Sequence, residues 1–168
     1  MVDSVTGLFN AVFVQAMVDQ ESNRAMRYKR PLSVIVVEVD HAEYIHRDLS
    51  SAQINGLLKE LAETLVASVR DTDTVGVLDT EGAPRFAILL PETEQNGALL
   101  AADKIRRAIA SHDFRAGGQW QRLTLSCGTA TVNHERMGKQ DLIWLAGQAL
   151  QSGRAAGQTN RTHASAQL

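Results

Sequence analysis

The eight residues from Leu32 to Val39, LSVIVVEV, limit the possible folds of this chain more than any other stretch. The run is apolar and dense in Val and Ile, without the alternation of a strand that keeps one face in water. It therefore reads as a central strand covered on both faces, which requires helices on each side of a sheet. Ile54, Leu57, Leu58, Leu61, Leu65 and Val69 recur at steps of three and four and predict one such helix. Others are predicted from about Asn10 to Tyr28 (Phe13, Ala16, Met17), from about Glu94 to Ser111 (Ala98, Ala101, Ala102, Ile105, Ile109) and from about Gln140 to Arg154 (Leu142, Leu145, Ala149). Further β-rich runs lie at Thr74 to Leu78, Arg85 to Leu90 and Leu123 to Val132. The first two of these are separated only by DTEGAP and predict an antiparallel hairpin, with Gly82 and Pro84 supplying its turn. The order α, β, α, β, β, α, β, α gives an α/β (α+β) fold with a mixed central sheet and helices packed on it.

A length of 168 residues, 44% of them hydrophobic, is enough for one domain with a sizeable core and too little for two. The 17 basic and 19 acidic residues nearly cancel, and no Lys/Arg run marks a nucleic-acid arm or a membrane-surface patch, so neither DNA nor RNA is expected as a partner. Cys127 is the only cysteine; it excludes an internal disulfide, favours a reducing, cytoplasmic setting and is expected to pack in the core. No apolar stretch reaches bilayer length and MVDSVTGLFN lacks the order of a signal peptide. A membrane anchor elsewhere in a longer chain stays compatible with this. The polar, small-residue end is expected to fray from His163 to Leu168.

Five segments carry a resemblance: DSVTGLFN at Asp3 to Asn10, LSVIVVEVDH at Leu32 to His41, RFAILLPET at Arg85 to Thr93, LTLSCGTATV at Leu123 to Val132 and AGQALQSGRAAGQ at Ala146 to Gln158. In this order and spacing they resemble the GGDEF domain family, the diguanylate cyclases that join two GTP molecules into cyclic di-GMP. The late strand is similar to the family's "SIGVA" and the last helix to its "ADxALYxAKxxGRN", so the resemblance covers nearly the whole chain. It implies a ferredoxin-like palm related to the nucleotide cyclases. In the family the fragment "DxLTGLxN" follows a linker from an upstream sensor or receiver domain. The chain is therefore expected to be part of a longer signalling protein, with the domain at 1–162 and a flexible tail at 163–168.

The resemblance also locates the chemistry. Diguanylate cyclases use carboxylates to hold divalent ions against the triphosphate, because charge must be neutralised with little covalent help. Glu38 matches the first metal ligand of the family's strand end and Asp40 the second acid. The alternative reading is that these two residues merely end a strand at the solvent edge. Where the family reads G-G-D/E-E-F, this chain reads DTEGAPRF: counting back from Phe86, Pro84 and Arg85 hold the places of the two signature carboxylates, in a turn three residues longer. Proline removes a backbone N–H, and Arg85 puts positive charge where a metal should bind. Asp79 or Glu81 on the longer turn would be the only replacement ligands. The guanine-reading positions hold His46 for Asn and Asn55 for Asp, and an amide accepts from a purine edge less strongly than a carboxylate. Glu43 stands for a Lys that faces the triphosphate, Arg154 keeps a cation at the last-helix Lys, and Gln158 replaces the Arg after it. These replacements imply a catalytically inactive domain without a bound magnesium cofactor, in which Glu38, Asp40, Asn55 and Arg85 are the vestigial active site.

Many members carry a second site, RxxD, set five residues before the signature, where cyclic di-GMP binds. Here it reads Arg70-Asp71-Thr72-Asp73, with Thr74 to Leu78 as the spacer. An arginine can fork to the O6/N7 edge of guanine while an aspartate accepts from N1 and N2. The family's further basic residue on the helix after the hairpin aligns with Lys104, which would hold a phosphate. The competing reading is an ordinary surface pair at a helix C-terminus. The expected function is thus a cyclic di-GMP receptor through Arg70, Asp73 and Lys104 that signals to a partner protein or neighbouring domain. The alternatives are a nucleotide-independent interaction or homodimerisation module and, further off, a cyclase with a rearranged turn. The histidines His41, His112, His134 and His163 have no metal-ligand spacing and read as surface groups. Trp120 and Trp144 read as core or rim packing.

Overall fold

The computed structural model describes residues 1–116, 118–157 and 159–166. Its elements are α1 (Ala11–Tyr28), β1 (Leu32–Val39), α2 (Ala42–Asp48), α3 (Ser51–Ala67), β2 (Thr74–Asp79), β3 (Arg85–Pro91), α4 (Gln95–Ser111), β4 (Phe114–Ala116), β5 (Gln119–Gln121), β6 (Leu125–Thr131), α5 (Leu142–Ala155) and β7 (Thr162–Ala164). The main sheet has the order β2-β3-β1-β6-β7, antiparallel except for the parallel pair β6 and β7, so it is the mixed sheet expected. The apolar run is its third strand, buried at all eight positions.

The strand period of two divides that run between two cores. Ile35, Val37 and Val39 point toward α3 and α4, with Phe86, Ile88 and Leu90 beside them. Leu32, Val34 and Val36 point the other way, into a core shared with Val18 of α1 and Leu142, Ala146 and Leu150 of α5. Gly128 of β6 lets α5 approach: a Cβ there would collide with the Ala146 carbonyl. The helix starts are chemically defined. Asn10 accepts from Phe13 N–H at 3.0 Å, and Ser50 with Gln53 forms a capping box at α3.

The DSVTGLFN segment has a structural job. Asp3 accepts from the backbone and hydroxyl of Thr6, and the turn, with Gly7 at φ 75°, sets Phe9 against the edge strand β2, where its carbonyl accepts from Val77 N–H.

Several expectations need correction. The short α2, the β4–β5 hairpin and β7 have no counterpart among the elements read from the sequence, because segments of three to seven residues leave almost no periodicity to detect. Fraying does not begin at His163: Thr162–Ala164 add to β6, and Ser165 N–H donates to the Thr129 carbonyl at 2.7 Å. Gln167 and Leu168 lie outside the described residues. Of the core or rim packing expected for Trp120 and Trp144, the core half does not hold: they are 66% and 58% exposed. His112 is half-buried, with Nε2 2.9 Å from Glu60 Oε1. Cys127 is buried as expected, and burial pushes its thiol up to about 12.

Candidate functional site

Glu38 and Asp40 follow Val36 on the even-numbered face of the β1 path, the face that meets α5. Both are buried, which corrects the reading of a strand that ends at the solvent edge. In the antiparallel register Glu38 stands directly opposite Arg85 of β3. Arg85 Nε lies 3.1 Å from Glu38 Oε2, off the hydrogen-bonding direction but within ion-pair range. From α5, Arg154 Nη2 donates to Asp40 Oδ1 at 2.6 Å and to the Glu38 carbonyl at 3.2 Å, while Nη1 lies 3.5 Å from Glu38 Oε1. Asp40, its side chain 0% exposed, also accepts from Ser126 Oγ, Thr124 Oγ1 and Asn160 N–H at 2.6 to 2.9 Å. Two carboxylates and two guanidiniums thus balance within one small volume, and buried charges persist only when paired in this way.

The turn after β2 does not bring replacement acids to this cluster. Asp79 Oδ1 accepts from Glu81 N–H at 2.9 Å, closing the turn on itself. Gly82 lies in that turn as expected, without a positive φ, and its carbonyl lies 2.8 Å from His46 Nε2. A carbonyl can only accept, so Nε2 carries the proton in this contact. The contact ties α2 to the turn. Pro84 is buried, and its carbonyl accepts from Val39 N–H at 3.0 Å. Asn55 is exposed on α3 and Glu43 is exposed on the first turn of α2. Among the described residues, no group of three or more His, Cys, Asp and Glu side chains converges in a way that could hold a metal ion. Gln158, expected in place of an arginine, lies outside the described residues.

Arg70, Asp73 and Lys104 do come together. They line one cavity of about 260 Å³ with Ser68, Leu90 and Thr93. Arg70 is not on a helix, as the surface-pair reading had it, but lies past the end of α3, in a turn closed by Asp73 N–H donating to the Arg70 carbonyl at 3.0 Å. Its guanidinium forks to Asp73 through Nη2 to Oδ1 at 2.9 Å and Nε to Oδ2 at 3.3 Å. The carboxylate holds Arg70 above the usual arginine range. The pair is lopsided: the Asp73 side chain is 3% exposed and that of Arg70 57%. Lys104 is exposed on α4 at the rim. The residues missed in the sequence are Thr93 and the Pro91 carbonyl, which also accept from Arg70 Nη2. Nothing in a lone threonine after a strand signals such a role.

Comparison with known proteins gives one consistent result. A family model described as diguanylate cyclase, GGDEF domain, matches residues 1–160. The diguanylate cyclase DosC of Escherichia coli (strain K12) is 29% identical over 153 residues, which is 88% of this chain and 32% of that protein. The chain thus spans about a third of that relative's length. Among solved structures, the active GGEEF domain of a diguanylate cyclase from Vibrio cholerae has a TM-score of 0.81 at 25% identity, covering 96% of this chain and 99% of that one. The GGDEF domain of DgcB from Caulobacter crescentus, in complex with cyclic di-GMP, has a TM-score of 0.86 at 17% identity, covering 99% and 93%. The expected cyclase palm is therefore the fold observed.

Proposed function

The chain belongs to the GGDEF family of diguanylate cyclase domains, and we propose that it is a catalytically silent member that binds cyclic di-GMP in the Arg70–Asp73–Lys104 cavity and relays that binding to a neighbouring domain or partner protein. The observation that supports the receptor reading is the convergence of Arg70, Asp73 and Lys104 on one cavity. A planar guanidinium and a buried carboxylate side by side suit the Hoogsteen and Watson–Crick edges of a guanine, and an ammonium at the rim suits a phosphate.

The silence rests on the charge cluster. Phosphoryl transfer in this family would need Glu38 and a signature carboxylate to share a divalent ion, and the donor set does not fit one. Arg85 occupies the strand position facing Glu38, and Arg154 takes up oxygens of both Glu38 and Asp40. A cation brought there would meet two guanidiniums at close range, so no catalytic step is assigned to a metal here. The His46 contact to Gly82 and the exposed amide of Asn55 add no carboxylate for reading guanine in GTP.

A nucleotide-independent interaction module is the second reading, favoured by the way Arg70 and Asp73 already satisfy each other. Calorimetry with cyclic di-GMP and, separately, with GTP and magnesium discriminates. The receptor reading expects saturable heat with cyclic di-GMP only, weakened tenfold or more by Arg70→Ala, a loss of about 1.5 to 3 kcal/mol. No binding of either ligand up to high micromolar concentration favours the interaction module. Cyclic di-GMP synthesis from GTP that disappears in Glu38→Ala would overturn the silent assignment.

A further inference from the structure

We propose that Thr93 is a latch that holds the Arg70 guanidinium over the Asp73 carboxylate in the cavity wall, so that the carboxylate is covered by the chain's own arginine at rest and a guanine must displace it to pair with Asp73. The inference rests on the reading of this cavity as a cyclic di-GMP site and concerns how its carboxylate is kept covered.

The hydrogen-bond directions define the latch. Arg70 Nη2 only donates, and its two hydrogens face three acceptors: Thr93 Oγ1 at 2.8 Å, Asp73 Oδ1 at 2.9 Å and the Pro91 carbonyl at 3.2 Å. The Pro91 carbonyl only accepts, and Thr93 Oγ1 lies 2.9 Å from it. The Thr93 hydroxyl must therefore donate to Pro91 and turn a lone pair toward Arg70. Thr93 itself is fixed. Its carbonyl accepts from the buried Ser33 Oγ of β1 at 2.8 Å, and its methyl lies where a Cβ on Gly97 would come to 3.0 Å.

The moving part is defined by exposure. Asp73 is almost fully buried and additionally accepts from Arg70 N–H at 3.0 Å, whereas more than half of the Arg70 side chain is open to solvent. A base that is to donate N1–H and N2–H to Asp73 meets the guanidinium first. Arg70 must then leave Asp73 Oδ1 and Thr93 Oγ1 before its fork can face the ligand. The apparent affinity is accordingly the intrinsic affinity reduced by the fraction of molecules with Arg70 released. Weakening the rest state without touching the ligand-facing groups should tighten binding.

Thr93→Val keeps the shape and removes the hydroxyl; Thr93→Ser keeps the hydroxyl. Titration calorimetry with cyclic di-GMP should show Thr93→Val binding about threefold to tenfold tighter than wild type and Thr93→Ser within about twofold of wild type. A ligand-free readout separates the latch from the receptor reading: in urea unfolding of wild type, Arg70→Ala, Thr93→Val and the double variant, the two substitutions should be non-additive. Additive unfolding together with equal or weaker cyclic di-GMP binding by Thr93→Val overturns the latch and leaves the receptor reading standing. Non-additive unfolding with no cyclic di-GMP binding by any variant overturns the receptor reading, and the gating role with it.

Discussion

Replacing Arg154 by alanine tests the charge cluster from its most buried side. Arg154 is the guanidinium on Asp40, at 2.6 Å, and it also contacts the Glu38 carbonyl and Oε1. Without it a carboxylate whose side chain is 0% exposed loses its partner cation. Breaking a buried pair from one side costs about 3 to 5 kcal/mol. The Asp40 oxygens keep two hydroxyl donors and the Asn160 N–H, and Glu38 keeps Arg85, so the loss should fall near the lower end, about 3 kcal/mol. In a chain of this size that corresponds to a fall in melting temperature of roughly 6 to 12 °C. Arg154→Met, which keeps the apolar stem, should lose nearly as much and so separate charge from packing. Urea and thermal unfolding followed by circular dichroism give both numbers. A loss below about 1 kcal/mol in both variants would refute the idea that these guanidiniums compensate buried carboxylates.

Arg85→Glu places a second carboxylate opposite Glu38. It should destabilise the metal-free domain, and magnesium at about a hundred times its dissociation constant should return roughly 2.7 kcal/mol, whereas wild type should not respond. A melting temperature of Arg85→Glu unmoved by magnesium would count against a metal position held by Arg85. Cys127, with its thiol raised to about 12, should resist a thiol reagent at pH 8 in the folded state and react after unfolding. Because its folded value lies above the unfolded one, its contribution is complete below about 9 and is lost as pH rises from there toward 12, so stability should fall across that alkaline range. Rapid labelling of the native protein would contradict this.

Long-range pattern in the sequence locates the main elements. The central strand begins and ends where its apolar run does, and the four long helices match to within about three residues at each end. Each of those segments is long enough for its period to stand out, and each faces one of two cores. The failures are local and of three kinds. Short elements such as α2 and β7 have no period to read, and β7 forms because its backbone finds β6. Residue type alone does not place the two tryptophans: Trp120 stacks with Arg115, 5.2 Å from ring centroid to guanidinium, at the surface. At the site, the sequence shows Arg85 as a charge hostile to metal but does not by itself name its partner. The antiparallel register that places it across from Glu38 follows from the hairpin and the alternation of β1, so that ion pair was within reach of the sequence. The Thr93 contact was not, since it depends on where the chain after β3 meets the loop after α3.

An NMR titration of the ¹⁵N-labelled domain with cyclic di-GMP tests the central claim most directly, because it reports whether the ligand binds and where. Saturable shifts are expected at the amides of Arg70, Asp73, Thr93 and Lys104, with those of Glu38, His46, Asn55 and Arg85 little changed. Shifts centred on α2 and the turn after β2, or no saturable shifts up to high micromolar ligand, would contradict it.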